Sequence, residues 1–325
     1  MDPELKYTRP SLGSHIRRIG LPFLAVAFVF LCTLVLQALA VGLVSRYAPH
    51  LADAKWYPWV ISMVPMYAVA MPLSLLIYRA VPAQPPKKHS ISLPVWLGLL
   101  AICFALTYLG NWMGILVNAV ISAVTGQPTV NDLANLASDS PLWANLLFGG
   151  ILAPIMEEIF YRKMMIDRLS VYGDLPAILI SGLVFGLIHG NFSQFFYAAI
   201  IGVVLGYVYI KTGKIRYTVA LHMAINLVGS VYSVEMIKKL DPELLASNPL
   251  RAMIRNFGGI AMYASYGVFM LAVLISAPIA LILLRKYIHL RRAASPLSAA
   301  EWSRVLLLNP GTWVLALVVG LLFLA

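Results

Sequence analysis

Four side chains that can carry chemistry lie inside hydrophobic stretches of this 325-residue chain. Glu157 and Glu158 are adjacent in ILAPIMEEIFYRKMM, and no other acidic residue lies as far inside an apolar segment. Among the histidines, only His189 in FGLIHGN and His222 in ALHMAINL are placed in this way. A charged residue in a bilayer segment costs roughly 2.5–3.5 kcal/mol on insertion scales, so such groups indicate a functional site.

The spacing around the glutamates predicts two different environments. On an α-helix Glu158 and Arg162 are at i and i+4 and face each other, whereas Glu157 is rotated by about 100° from Glu158. One carboxylate therefore has a cationic partner and the other points elsewhere, an arrangement typical of acid/base chemistry. In the alternative interpretation, these charges mark the solvated cytoplasmic end of a span.

Both histidines have a candidate partner one helical turn away. Phe185 and His189 share a helix face, and so do His222 and Asn226. Two hydrogen-bonding side chains stacked like His222 and Asn226 could bind one oxygen atom. The alternative is that these polar groups form hydrogen bonds between neighbouring membrane helices.

Composition identifies the class of protein that must position these residues. The chain is 61% hydrophobic and 11% charged, whereas soluble domains carry about 25% charged residues. We therefore predict an all-α fold, a polytopic transmembrane helical bundle with about eight or nine helices. The predicted spans are 21–45, 58–78, 93–124, 142–165, 175–190, 194–210, 216–234, 258–284 and 306–325.

The basic residues are distributed unequally between the two sides of this bundle. With the predicted spans, 18 of the 24 lysines and arginines fall on one side. The positive-inside rule then places the N-terminus in the cytoplasm of a multi-pass cell-membrane protein. The net charge of +11 is explained by this topology, so we expect the lipid bilayer and no nucleic acid as a partner.

The chain divides into three segments of one integral membrane domain. Residues 1–141 are predicted to form N-terminal transmembrane helices, 142–234 the catalytic core and 235–325 the C-terminal helices. A short interfacial helix is predicted around 242–256 in the outer loop. The core contains small residues at helical spacing, which predict close helix packing: Gly182, Gly186, Gly190, Gly202 and Gly206.

The ordered spacings E-E-x-x-x-R, F-x-x-x-H and H-x-x-x-N on successive hydrophobic segments resemble the CPBP family. This family comprises CAAX-type proteases and bacteriocin-processing enzymes, also called Rce1-like or Abi-type intramembrane endopeptidases. The resemblance covers about residues 142–234 and implies hydrolysis of a peptide bond by glutamate-activated water.

The resemblance also implies a role for each motif residue. Glu157 would activate water with the assistance of His189, and His222 and Asn226 would form the oxyanion hole. Glu158 and Arg162 would be a supporting pair, and Phe185 a supporting residue. No cofactor is implied. The expected partner is a hydrophobic or lipidated peptide or protein in the membrane, whereas the oligomeric state is not predicted.

Two alternatives remain open. A zinc protease could use Glu157, His189 and His222, because two histidines and one carboxylate form a known catalytic ligand set. Against it, the chain has no H-E-x-x-H motif, and Asn226 would have no clear role. A non-catalytic immunity protein or a proton-coupled transporter could also hold ionisable residues in the membrane, although a proton relay has little use for the Asn226 amide.

Overall fold

The described part of the chain is a bundle of helices. The computed structural model describes residues 10–129, 132–239, 243 and 247–324, and these contain helices joined by loops, with no β-strand. The all-α helical bundle is therefore confirmed. Lys6 and Arg9, which contribute to the predicted charge asymmetry, lie outside the described residues, as does part of the helix predicted around 242–256.

Most helices are long, and several combine α, π and 3₁₀ turns. In chain order they are α1 (Leu12–Tyr47), α2 (Tyr57–Arg79), α3 (Leu93–Thr125), α4 (Asp132–Asp139), α5 (Leu142–Tyr172), α6 (Asp174–Leu187), α7 (Phe192–Thr212), α8 (Ile215–Lys238), α9 (Pro249–Arg255), α10 (Phe257–Tyr287), α11 (Ala299–Leu307) and α12 (Pro310–Leu324).

Within the described residues, seven helices are long and apolar enough to cross a membrane: α1, α2, α3, α5, α7, α8 and α10. The protein is thus a multi-pass membrane protein. The span predicted at 175–190 is shorter than expected, because α6 has only 14 residues. At 1.5 Å per residue this helix rises about 21 Å, less than the roughly 30 Å of a bilayer core.

The last predicted span is also not a straight helix. Helices α11 and α12 are bent by 69° relative to each other, with Asn309 at the break. The buried Asn309 side chain donates to the Ile16 carbonyl and accepts from the Gly311 N–H, while Pro310 has no N–H to continue the helix. The predicted span 306–325 therefore corresponds mainly to α12, which together with α11 is apolar enough to cross a membrane only as a bent pair.

Helices α6 and α7 pack at very close range, as their small residues predicted. A Cβ atom added to Gly202 would lie 2.8 Å from the Gly182 Cα, and one added to Gly186 would lie 2.8 Å from the Phe195 carbonyl. Only glycine allows the two backbones to approach this closely. This packing fixes the end of α6, which precedes His189.

Two hydrophobic clusters hold the helices that carry the candidate site residues. One hydrophobic cluster joins α5 to α1, α2, α6 and α12 and includes Phe23, Tyr78 and Phe160. A second cluster joins α3, α7, α8 and α10 and includes Phe104 and Leu221. Helices α5 and α8, which carry the glutamates and His222, are thus packed within the bundle.

Candidate active site

A fully buried ion pair anchors the site on α5. Arg162 Nη2 lies 3.1 Å from Glu158 Oε1, and both side chains are 0% exposed. Arg162 also donates to the Ser181 hydroxyl, and its guanidinium lies 4.8 Å from the centroid of the Phe185 ring. The predicted pairing is therefore present. The alternative of a solvated span end is wrong, because neither group of the pair reaches solvent.

His222 on α8 lies between the two glutamates. Its Nδ1 is 3.1 Å from Glu158 Oε1, and its Nε2 is 3.7 Å from Glu157 Oε2. An ionised carboxylate can only accept hydrogen bonds. Because Glu158 is paired with Arg162, its Oε1 accepts a hydrogen bond from Nδ1 of His222. The Nε2 of His222 is then directed to Glu157.

Glu157 is the more accessible of the two carboxylates. Its side chain is 15% exposed and lines a cavity within the bundle. Its Oε1 accepts a hydrogen bond of 3.0 Å from the hydroxyl of Tyr67 on α2. The two adjacent glutamates thus have different surroundings: Glu158 is enclosed by Arg162 and His222, whereas Glu157 faces open space.

Phe185 packs against both histidines. Its ring meets the His189 ring edge-on at a centroid distance of 5.0 Å and the His222 ring in the same way at 5.6 Å. His189 lies in the loop between α6 and α7, and its Nδ1 is 2.7 Å from the Phe185 carbonyl oxygen. Phe185 therefore orients the two rings, and the structure places His222 directly beside Glu157.

Asn226 lies one turn beyond His222, as predicted, and borders the same cavity. Its Nδ2 donates a 3.0 Å hydrogen bond to the Gly149 carbonyl on α5. A side-chain amide has two N–H donors, so this contact orients the group and leaves a second hydrogen for another acceptor.

The cavity that these residues line has a volume of about 840 Å³. Glu157, His189, His222 and Asn226 all border it, whereas Glu158 and Arg162 do not. Its wall also includes Leu133, Leu136 and Ala137 of α4, Phe30 of α1, and Leu322 and Phe323 of α12. The cavity therefore extends from the glutamate to the α4 end of the bundle and is walled by N-terminal and C-terminal helices.

Helices α2, α5 and α8 all bring polar groups to this cavity, and each of them contains at least one π turn. Three of these turns contain a cavity-lining residue, namely Tyr67, Gly149 or Ser230, and the fourth begins directly after Glu157. Isolated π turns occur often at functional sites. The turns span Pro65–Ala70, Asn145–Leu152, Glu158–Ile166 and Leu227–Tyr232.

The three candidate zinc ligands do not form a metal site in this arrangement. Among the residues that the structure describes, no three His, Cys, Asp or Glu side chains are grouped so that they could hold a metal ion. Of the candidates, Glu157 and His222 are adjacent, whereas His189 Nδ1 is turned to a backbone carbonyl.

Several polar residues that line the cavity were not predicted from the sequence, among them Tyr67 and Asn145. Tyr67 contacts Glu157 from 90 positions away, and a tyrosine in an apolar helix carries no pattern that marks it. Asn145 is 1% exposed, accepts from the Trp59 indole and donates to the Ala137 carbonyl. Its position in an apolar span, where polar groups are costly, could have revealed it.

Comparison with known proteins assigns the segment that contains these motifs. Residues 139–228 match the sequence profile of a family described as "Type II CAAX prenyl endopeptidase Rce1-like". The segment is an Rce1-like domain. The resemblance inferred from the motifs is confirmed, and Glu157, Phe185, His189, His222 and Asn226 all lie within the Rce1-like domain.

Two relatives from Lactococcus lactis subsp. lactis (strain IL1403) resemble part of the chain. UPF0177 protein YxdF is 28% identical over 148 residues, covering 45% of this chain and 78% of the relative. UPF0177 protein YbdJ is 32% identical over 103 residues, covering 30% of this chain and 43% of the relative. No solved structure matches significantly. The Rce1-like domain supports a CAAX-protease type of peptidase.

Proposed function

We propose that the protein is a metal-independent intramembrane endopeptidase in which Glu157 activates the attacking water. The substrate would be a membrane-associated protein or peptide that is hydrophobic or lipidated. The observation that carries this proposal is the placement of His222 between two glutamates, one buried with Arg162 and one facing the cavity. This gives one carboxylate free for chemistry and one that orients the histidine.

The proposed reaction begins with attack of water on the scissile carbonyl carbon. As the new C–O bond forms, Glu157 accepts a proton from the water, with His189 assisting, and the carbonyl electrons move to oxygen. A positioned base of this kind typically contributes 10²–10⁴-fold to the rate. The C–N bond then breaks, and Glu157 gives the proton to the leaving nitrogen.

The tetrahedral intermediate needs donors aimed at its oxyanion. We assign this role to His222 and Asn226, which are one turn apart and border the same cavity. In its imidazolium form His222 donates from both nitrogens, so that Nδ1 stays on Glu158 while Nε2 is available to the oxyanion. The second N–H of the Asn226 amide is the other donor.

The site lies within the helical bundle, which favours a substrate that is itself in the membrane. Cavity-lining side chains from α1 and α12 are apolar and fit a hydrophobic or lipid-modified segment. Soluble peptides cleaved as efficiently as membrane-anchored ones would contradict this assignment. The lipid bilayer is the other expected partner, and the proposal includes no nucleic acid.

The test is proteolysis by purified protein in liposomes with a panel of membrane-anchored and lipidated peptides. We expect Glu157→Gln to abolish cleavage and His222→Ala to reduce it by roughly 100- to 1,000-fold, as for loss of an oxyanion donor. Glu235→Gln is the matched control, because Glu235 pairs with Lys238 and does not border the cavity. Wild-type cleavage by Glu157→Gln would refute the proposed mechanism.

The same assay separates the two alternatives. Cleavage that is lost with a chelator and restored by zinc would establish the metalloenzyme, with Glu157, His189 and His222 as ligands. If Glu157→Gln kept full biological activity while no peptide was cleaved, a non-catalytic immunity or transport role would be favoured.

A further inference from the structure

Tyr67 reaches the candidate active site from outside the Rce1-like domain. It lies on α2, in the π turn Pro65–Ala70, whereas the family match begins at residue 139. Its side chain is 5% exposed and its hydroxyl donates to Glu157 Oε1 at 3.0 Å. No motif in the sequence singles out this residue.

This contact makes the two oxygens of Glu157 different. Oε1 accepts from Tyr67, whereas Oε2 is the oxygen that lies 3.7 Å from His222 Nε2. A hydrogen bond from a rigid, buried phenol restricts the rotation of the carboxylate. Oε2 is therefore held on the side of His222, where the proposed oxyanion donors are.

We infer that Tyr67 is a positioning residue for Glu157, an inference that rests on the proposed function. The hydroxyl fixes the carboxylate so that Oε2 receives the proton of the attacking water. With Oε1 occupied by this hydrogen bond, Oε2 remains the oxygen that faces the cavity side of His222. The N-terminal helices thereby supply part of the reaction machinery.

A second buried tyrosine on the same helix distinguishes a positioning role of the Tyr67 hydroxyl from a purely structural one. Tyr78 is fully buried and belongs to the same hydrophobic cluster as Tyr67, yet its hydroxyl has no hydrogen-bond partner among the described residues. Tyr78→Phe thus removes a buried phenol oxygen from α2 without touching Glu157.

The first measurement compares Tyr67→Phe and Tyr78→Phe with wild type in the liposome cleavage assay. Hydrogen bonds to charged groups predict that Tyr67→Phe lowers kcat by roughly 10- to 100-fold, while KM stays near its wild-type value. Replacing Tyr67 by 4-aminophenylalanine, which keeps a donor at the ring position, should restore most of the loss. Tyr78→Phe should leave kcat unchanged.

The second measurement does not require a substrate. Dicyclohexylcarbodiimide modifies carboxyl groups in membranes, and mass spectrometry locates the adduct; a carboxyl group released from the Tyr67 hydroxyl is freer to rotate and react. We expect Glu157 to be modified several-fold faster in Tyr67→Phe than in wild type or Tyr78→Phe. Equal labelling in all three proteins would overturn the inference, whether or not any peptide is cleaved.

Two results separate the role of Tyr67 from the protease activity itself. A wild type that cleaves, with Tyr67→Phe retaining its kcat, would remove Tyr67 from the mechanism and leave Glu157 in place. A wild type that cleaves nothing, combined with faster labelling in Tyr67→Phe, would keep Tyr67 as the residue that controls Glu157 and count against protease activity.

Discussion

Replacing Arg162 by methionine should destabilise the protein severely. The substitution preserves much of the side-chain length but leaves Glu158 charged, 0% exposed and without its cation. Breaking a buried ion pair by removing one partner costs about 3–5 kcal/mol. At 1.36 kcal/mol per tenfold change, the unfolding equilibrium constant should increase by roughly two to four decades.

The double variant Glu158→Gln/Arg162→Met supplies the decisive comparison. Because it removes both charges together, it should be more stable than Arg162→Met alone. The assay is reversible unfolding in mixed micelles, followed by circular dichroism for the wild type, both single variants and the double variant. The control is Lys238→Met, which breaks the partly exposed ion pair of Lys238 with Glu235. It should lower the free energy of unfolding by at most about 1 kcal/mol.

Two outcomes would refute this reasoning. If Arg162→Met unfolded at the same denaturant concentration as Lys238→Met, the charge on Arg162 would not be needed to offset a buried carboxylate. If the double variant were less stable than both single variants, the two residues would stabilise the protein through packing with Phe185 and Ser181 and not through their charges.

Two further substitutions test the helix contacts that support the site. Gly202→Ala should lower the free energy of unfolding by about 1–3 kcal/mol through overpacking, because its Cβ would lie 2.8 Å from Gly182 Cα. The control is Gly267→Ala on α10, where nothing lies within 4 Å of the added Cβ. In the same unfolding assay this variant should be as stable as the wild type or more stable. Trp59→Phe should lower the free energy of unfolding by about 1–3 kcal/mol, because it removes the donor to the buried Asn145. The chain near α4 should then be cleaved faster by an added protease. Unchanged proteolysis would contradict this prediction.

Local spacing predicted the parts of the site that depend on one helix. Glu158 and Arg162 pair because residues at i and i+4 are neighbours on a helix, and this proximity survives the π turn that the sequence did not reveal. The small residues of α6 and α7 likewise predicted their close packing, since only a glycine surface permits such short backbone distances.

Contacts between distant parts of the chain could not be predicted in this way. His222 meets Glu158 across 64 positions, Asn226 meets Gly149 across 77, and Tyr67 meets Glu157 across 90. The bend before α12 depends on an Asn309 contact with Ile16 across 293 positions. No periodicity in one segment encodes such a partner, so neither the bend before α12 nor the contact of Tyr67 with Glu157 was predicted from the sequence.

The π turns around the cavity affect how this chain is aligned with its relatives. A π turn closes its hydrogen bond over one more residue than an α turn, so it places an extra residue in a transmembrane segment without breaking the helix. A homologue that lacks one of these turns would need a single-residue gap inside a hydrophobic span to keep its polar residues in register. Alignments that forbid gaps within spans will shift every residue beyond that point and obscure shared active-site positions.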